Sequence, residues 1–349
     1  MAMTPRERVT AAMNKENLDR PPAAIFTQSA TLGQMDKTGA AWPEAHKDAK
    51  IMAKLAAAQA TVFGFECVRT SFCLTAEAER LGCTVAVDKR DAAPMIKSHP
   101  FKFDCMEGVY DDPSAMMSVD EFLKGGRVAE VIKSCEILKN DMGKDYCVVA
   151  GTTGPFTLAG HMVSTENLIF GMMMAPEMVD KWVDAVTPIC KAYGQAVIDA
   201  GADIIQMSEP SASTDMLAPD MFQEAAGKAV LGSLGSTKGG LGNILHICGD
   251  TTPILDQMAV VGGSVKGISI EEKVDSYEAV KAVGDKCVLV GNVGSVKPLF
   301  QGTPEEVKEG VFRSCDAGFH IISSGCGIAP ATADENMQAF VDAVKAFSR

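Results

Sequence analysis

Long apolar runs are missing from this 349-residue chain. No stretch approaches the roughly 18 consecutive apolar residues that a membrane-crossing helix needs, so no span of a bilayer is expected. No secretory leader is expected either, because Met1-Ala2-Met3-Thr4-Pro5-Arg6-Glu7-Arg8 carries charge where the apolar stretch would stand. No basic cluster offsets the formal net charge of −13, which argues against nucleic acid and anionic membranes as partners. The eleven cysteines contain no Cys-x-x-Cys pair. They are expected in a reducing cytoplasm, mostly as small buried hydrophobes. Internal repeats, low-complexity tracts and linkers are also absent, so residues 1–349 read as a single domain.

What is present has an ordinary globular balance, 47 % hydrophobic against 22 % charged, which excludes a disordered chain. Eight short apolar, β-branched runs alternate with longer helical patterns: residues 23–28, 65–70, 147–151, 203–208, 243–247, 266–270, 287–292 and 319–323. Eight strands with intervening helices in this length favour an α/β fold of the closed (β/α)8 barrel type. The interval 71–145 is too long for one crossover and reads as an insertion after the second strand, carrying a hairpin and helices. Helix starts are marked by Thr4-Pro5-Arg6-Glu7, Ser118 with Glu121, Thr303-Pro304-Glu305-Glu306, and Thr332 with Glu335.

The strand ends carry polar residues, and in a barrel all of these ends surround one mouth. Two of them stand out. His246 and Cys248 are two residues apart, so at a strand end they project the same way. Cys326, in Gly325-Cys326-Gly327, ends another apolar run. One imidazole and two thiolates suit zinc, with a fourth position open for water or substrate. A structural zinc is the alternative, although such sites close with four Cys or His ligands in tight pairs. Glu209 ends the fourth strand and is a candidate catalytic-site residue, as fourth ligand or as hydrogen-bond partner of a metal-bound group, or else it caps the next helix or is solvated. Asp250 is a candidate second-layer group or N-cap. For His46, His99, His161 and His320 a satisfied core or surface role is expected. The glycine-rich stretch 232–242 precedes a strand and reads as a flexible connection, not a phosphate loop. Met172-Met173-Met174 reads as core filler.

These residues carry a family resemblance. Trp42-Pro43-Glu44-Ala45-His46, Val68-Arg69-Thr70-Ser71-Phe72-Cys73-Leu74-Thr75, Gly154-Pro155-Phe156-Thr157, Gly201-Ala202-Asp203, Leu245-His246-Ile247-Cys248-Gly249, Leu289-Val290-Gly291-Asn292-Val293 and Gly325-Cys326-Gly327-Ile328-Ala329-Pro330 occur in order. In these motifs the chain resembles the methylcobamide:coenzyme M methyltransferases of methanogens, within the uroporphyrinogen decarboxylase superfamily. The resemblance implies a uroporphyrinogen decarboxylase-like barrel with one zinc per chain, held by His246, Cys248 and Cys326. It implies transfer of a methyl group from a methylated corrinoid protein to the thiol of coenzyme M, giving methyl-coenzyme M for methanogenesis. The decarboxylase itself is disfavoured, because Thr27-Gln28-Ser29-Ala30-Thr31 stands where that enzyme needs arginines. The methylcobamide is expected on a separate protein, since the chain shows no Asp-x-His-x-x-Gly cobalt-ligand motif. Gln28, Arg69 and Asn292, with backbone amides near Gly294, are the candidate donors to the sulfonate. Two alternatives stay open: a related zinc-thiolate methyltransferase with another acceptor, and a non-catalytic corrinoid- or zinc-binding protein.

Overall fold

The computed structural model describes residues 3–264 and 266–347. Strand β1 (Cys67–Thr70) is followed by two antiparallel hairpins, β2 (Thr84–Ala86) with β3 (Met95–Ser98) and β4 (Phe103–Asp104) with β5 (Val109–Tyr110). Then come β6 (Cys147–Thr153), β7 (Ile204–Ser208), β8 (Gly242–His246), β9 (Gly267–Ser269), β10 (Val288–Val293) and β11 (Ile321–Ser324). The long strands form one parallel sheet in the order β1-β6-β7-β8-β9-β10-β11, so each pairs with the next one along the chain. Helices fill the intervals, as in a (β/α)8 barrel.

The expected first strand, residues 23–28, takes the eighth place without a ladder. Ala23 bridges Ile322 in parallel, Ala24 N donates to the Ile322 carbonyl at 3.0 Å, and Glu66 N donates to the Ala23 carbonyl at 2.8 Å. The segment therefore lies between β11 and the entry to β1 and joins the two ends of the sheet. Side chains occupy the donors that a ladder would use. The Glu66 carboxylate accepts from Ala23 N at 3.0 Å and Ser323 Oγ from Phe26 N at 3.2 Å. Pro21 and Pro22, just before, have no N–H to give.

Alternate strand residues split into two cores. Ala24, Phe26, Cys67, Cys147, Val149, Ile204, Ile244, Val288, Val290 and Ile321 pack together with Val9, Ala12 and Met13 of the helix Pro5–Met13. This is the barrel interior, and that helix plugs its lower end, where most of these residues begin their strands. The other phase, including Val68, Val148, Ile205, Leu245, Ile268 and Leu289, packs against the surrounding helices. Arg6 ties the plug down by donating to both oxygens of Asp203, at 2.8 and 2.7 Å. Among the described residues no helix is long and apolar enough to cross a membrane.

Four local expectations change. The region 71–145 holds two hairpins, not one, and its last part is the crossover helix Gly126–Met142 leading to β6. The final helix, Asp334–Ala346, is capped by Ala333 and not Thr332. Thr332 N closes a turn onto the Ala329 carbonyl at 3.0 Å instead, so the helix starts one residue later. Within 232–242 the helix Lys228–Ser233 runs on into a 3-10 turn at Leu234–Ser236, leaving only a short loop before β8. Gly240, at φ +68°, is needed there because a Cβ would lie 2.5 Å from the Asp203 carbonyl oxygen. Met173 and Met174 are 81 % and 57 % exposed, since three consecutive helical residues cannot share one buried face.

Candidate metal centre

The alternation that puts Ile244 inside the barrel also turns His246 and Cys248 inward at the upper end of β8. Cys326 reaches the same point two residues beyond β11. One ligand atom from each of the three lies within 4.8 Å of the other two. Tetrahedral zinc at about 2.3 Å from sulfur needs neighbouring ligands roughly 3.8 Å apart, so the donors fit with a small contraction.

The imidazole is oriented from behind. His246 is 3 % exposed, and its Nδ1 lies 3.1 Å from Ser269 Oγ and 3.2 Å from the Ser269 carbonyl. Ser269 is its register partner on β9. Donation from Nδ1 to that carbonyl selects the tautomer that leaves Nε2 as a lone-pair donor. Cys326 is fixed through its backbone: its carbonyl accepts from Ser295 Oγ and Thr27 Oγ1, both at 2.8 Å, and its N–H donates to Ser295 Oγ at 3.0 Å. Gly249, at φ +85°, follows Cys248 because a Cβ there would lie 2.4 Å from Ser213 Oγ.

The two thiols shift in opposite directions: the neighbouring Cys326 thiol pulls Cys248 below its ordinary range, against burial, while Cys248 and burial push Cys326 up. A cation bound between them would displace the thiol protons. The donor chemistry therefore suits a thiophilic ion such as zinc.

The other expected site residues lie as follows. Glu209 follows the outward phase of Met207, not the inward phase of Ser208, and is fully buried. Its carboxylate accepts from Phe156 N at 3.0 Å and Thr157 N at 2.6 Å, capping the helix Pro155–Val163. Burial pushes that carboxyl up to about 7, against those hydrogen bonds. Asp250 accepts from Thr252 N at 3.1 Å, while Thr251 holds the N-cap position of the turn Thr252–Ile254. Arg69 is 1 % exposed inside the barrel, donating to the Phe26 carbonyl at 2.7 Å, to the Ser71 carbonyl, and to Gln206 Oε1 at 3.0 Å. Asn292 turns away from the interior after Gly291, whose φ is +137°, and bonds Ser276, Ser314 and the Val274 carbonyl. Of the three expected sulfonate donors, only Gln28 lines the cavity beside Cys326.

That cavity, of about 620 Å³, lies between the barrel mouth and the insertion. Gln28, Phe72, Ser295 and Gly327 bound it on the barrel side, and Met95 and Ile96 of β3 on the other. Among the described residues, no lysine or arginine lines it. His99 and His161 do line it, with His99 Nδ1 2.8 Å from the His161 carbonyl. His46 packs between Trp42 and Phe72, and His320 Nδ1 accepts from Leu289 N at 3.0 Å. Sequence reasoning passed over Ser269, although its position at the end of the strand after His246 marked it as a neighbour.

The family model for uroporphyrinogen decarboxylase (URO-D) matches residues 4–347. The chain is 35 % identical to the methylcobamide:CoM methyltransferase MtbA of Methanosarcina acetivorans, covering 98 % of each chain. It is 36 % identical to the MtbA of Methanosarcina mazei, again over 98 % of both. A solved structure described as a methyltransferase from Methanosarcina mazei superposes with a TM-score of 0.90 at 32 % identity, covering 98 % of each chain. The chain belongs to the uroporphyrinogen decarboxylase family, on the branch that holds the methylcobamide:CoM methyltransferases.

Proposed function

We propose that this chain transfers a methyl group from a methylated corrinoid to the thiol of coenzyme M, using His246, Cys248 and Cys326 to hold one zinc. The observation that carries the reading is the meeting of those three donors beside a cavity at the barrel mouth. It is supported by full-length relatives named for this activity. A zinc ion held there would supply the positive charge that removes the proton from a bound thiol, whose ordinary pKa is about 8.5.

The chain's own residues do the rest. Ser269 holds the His246 ring with Nε2 forward, and Ser295 and Thr27 hold Cys326 in place. Cys248 and Cys326 would bind as thiolates and keep the site electron-rich. In the transfer, the coenzyme M sulfur forms a bond to the methyl carbon as the carbon–cobalt bond breaks, and its electron pair stays on cobalt. The corrinoid is delivered by a separate protein, and the barrel with its insertion acts as one domain in the cytoplasm. Eleven free thiols suit that compartment. Gln28, with the hydroxyl of Thr165, faces the sulfonate from the cavity wall. Arg69 contributes only as a buried charge beneath the mouth.

The test is turnover of methylcobalamin with coenzyme M, followed by the loss of the methylcobalamin spectrum. Zinc-loaded wild-type protein should turn over, and Cys326→Ala should lose most of its zinc and about 10³-fold or more in rate with its fold intact. Equal rates in the two proteins would overturn the assignment. A lining without lysine or arginine favours one second reading, a neutral thiol as acceptor. Faster turnover with 2-mercaptoethanol than with coenzyme M would select it.

A further inference from the structure

A thiol outside the metal centre stands in the wall of the same cavity, in surroundings unlike those of six other buried cysteines. Burial pushes Cys67, Cys83, Cys135, Cys147, Cys190 and Cys287 up, which keeps them protonated. Cys73 is 7 % exposed and lines the cavity. Its sulfur accepts from Arg127 Nη1 at 3.0 Å and from Thr75 Oγ1 at 3.4 Å. Arg127 is itself buried and braced by Glu79 and by the Thr75 carbonyl at 3.0 Å. The His46 ring lies beside the sulfur, and His46 Nε2, on a side chain 2 % exposed, has no hydrogen-bond partner.

We infer that Cys73, set by Arg127 and His46, is a second and metal-free nucleophile of this cavity, a modification site for small soft carbon electrophiles. The sulfur lone pair forms a carbon–sulfur bond while the bond to the leaving group breaks, a halide departing in the case of an alkyl iodide. No proton need be removed first. Burial works against the charge, but His46, Arg127 and Thr75 outweigh it and hold the thiol down to about 5. The other titratable groups facing it are Arg69 from β1, Glu77 from the helix Ala76–Arg80, and Tyr193 from the helix Pro176–Asp199. The adduct grows into the space that leads to Gly327 and Cys326, so it closes that approach.

Zinc-loaded protein treated with limiting iodoacetamide, then digested and weighed by mass spectrometry, tests this. Cys73 should be labelled before the partly exposed Cys105, at a rate nearly level from pH 8 to pH 6. An ordinary thiol loses about tenfold per pH unit over that range. Arg127→Met should restore the ordinary pH dependence, and Cys73→Ser should remove the label. Labelling of Cys105 first, or an ordinary pH profile at Cys73 in the wild type, overturns the proposal without any need for a variant. A second arm rests on the methyl-transfer reading. Labelled wild-type protein should keep its zinc and lose turnover, while Cys73→Ser protein stays active after the same treatment. Full turnover with Cys73 labelled overturns the closing role. Protein inactive before labelling counts against the methyl-transfer reading and leaves the labelling result standing.

Discussion

At the scale of single residues, the centre depends on which way side chains point, and strand phase decides that. The two-residue spacing of His246 and Cys248 was legible because inward-facing positions recur every second residue. The same rule, applied one residue further along β7, separates Glu209 from the mouth. The acid itself was conspicuous in the sequence, but its phase depended on where β7 begins. Asn292 escaped for a related reason, since Gly291 interrupts the alternation. Ser269 carries the most exposed assumption of the centre, that His246 binds through Nε2. Ser269→Ala removes one of two contacts to Nδ1 and leaves the carbonyl. It should weaken zinc binding by about tenfold, measured by competition with a chelating dye. Unchanged affinity would mean that the hydroxyl does not orient the ring.

At the scale of elements, local signals were reliable where they are self-contained. Thr4 with Glu7 and Thr303 with Glu306 form the capping boxes that their spacing announced. Thr332 failed because its chain turns on the Ala329 carbonyl, a contact no spacing rule contains. The helix Pro155–Val163 begins at Gly154-Pro155 without a local cap, and Glu209 supplies one from a distant strand. Burial raises the Glu209 carboxyl to about 7 in the folded chain, above its unfolded value. Its contribution is therefore full below about pH 4.5 and is lost as pH rises through about 7. Glu209→Gln removes that titration. The stability of wild type relative to this variant should fall with a limiting slope of about 1.4 kcal/mol per pH unit between those values. Urea unfolding at pH 5 and pH 8 reads it. A pH-independent difference would place the carboxyl outside its described surroundings.

At the scale of the whole molecule, the order of strands and helices was enough to read the barrel, because consecutive parallel strands leave few other arrangements. Its closure was not legible. Residues 23–28 have a strand's composition, but side chains of Glu66 and Ser323 take the hydrogen bonds. The lower plug was also invisible, since it depends on Asp203 meeting Arg6 and Lys139 from remote parts of the chain. Burial pushes the Asp203 carboxyl up, but Arg6, Val148 N and Lys139 outweigh this and hold it below the ordinary range. That stabilisation is present above about pH 3.8 and is lost as pH falls through the lower folded value. Asp203→Asn should cost about 3 kcal/mol at pH 7, and the gap to wild type should narrow in acid. A variant as stable as wild type at pH 7 would show that the plug is held by its apolar face alone.

Under the proposed function, a thiol binds as its thiolate at the zinc held by His246, Cys248 and Cys326. Counting protons tests that claim most directly. Titration calorimetry of coenzyme M into zinc-loaded protein, repeated at pH 7 in buffers of different ionisation enthalpy, gives the number released per site. Close to one proton should be released, because a free thiol of pKa about 8.5 is mostly protonated at that pH. Binding should fail when zinc is removed. Binding with no proton released would mean that the sulfur stays protonated, and the proposed chemistry would be wrong even with the metal in place.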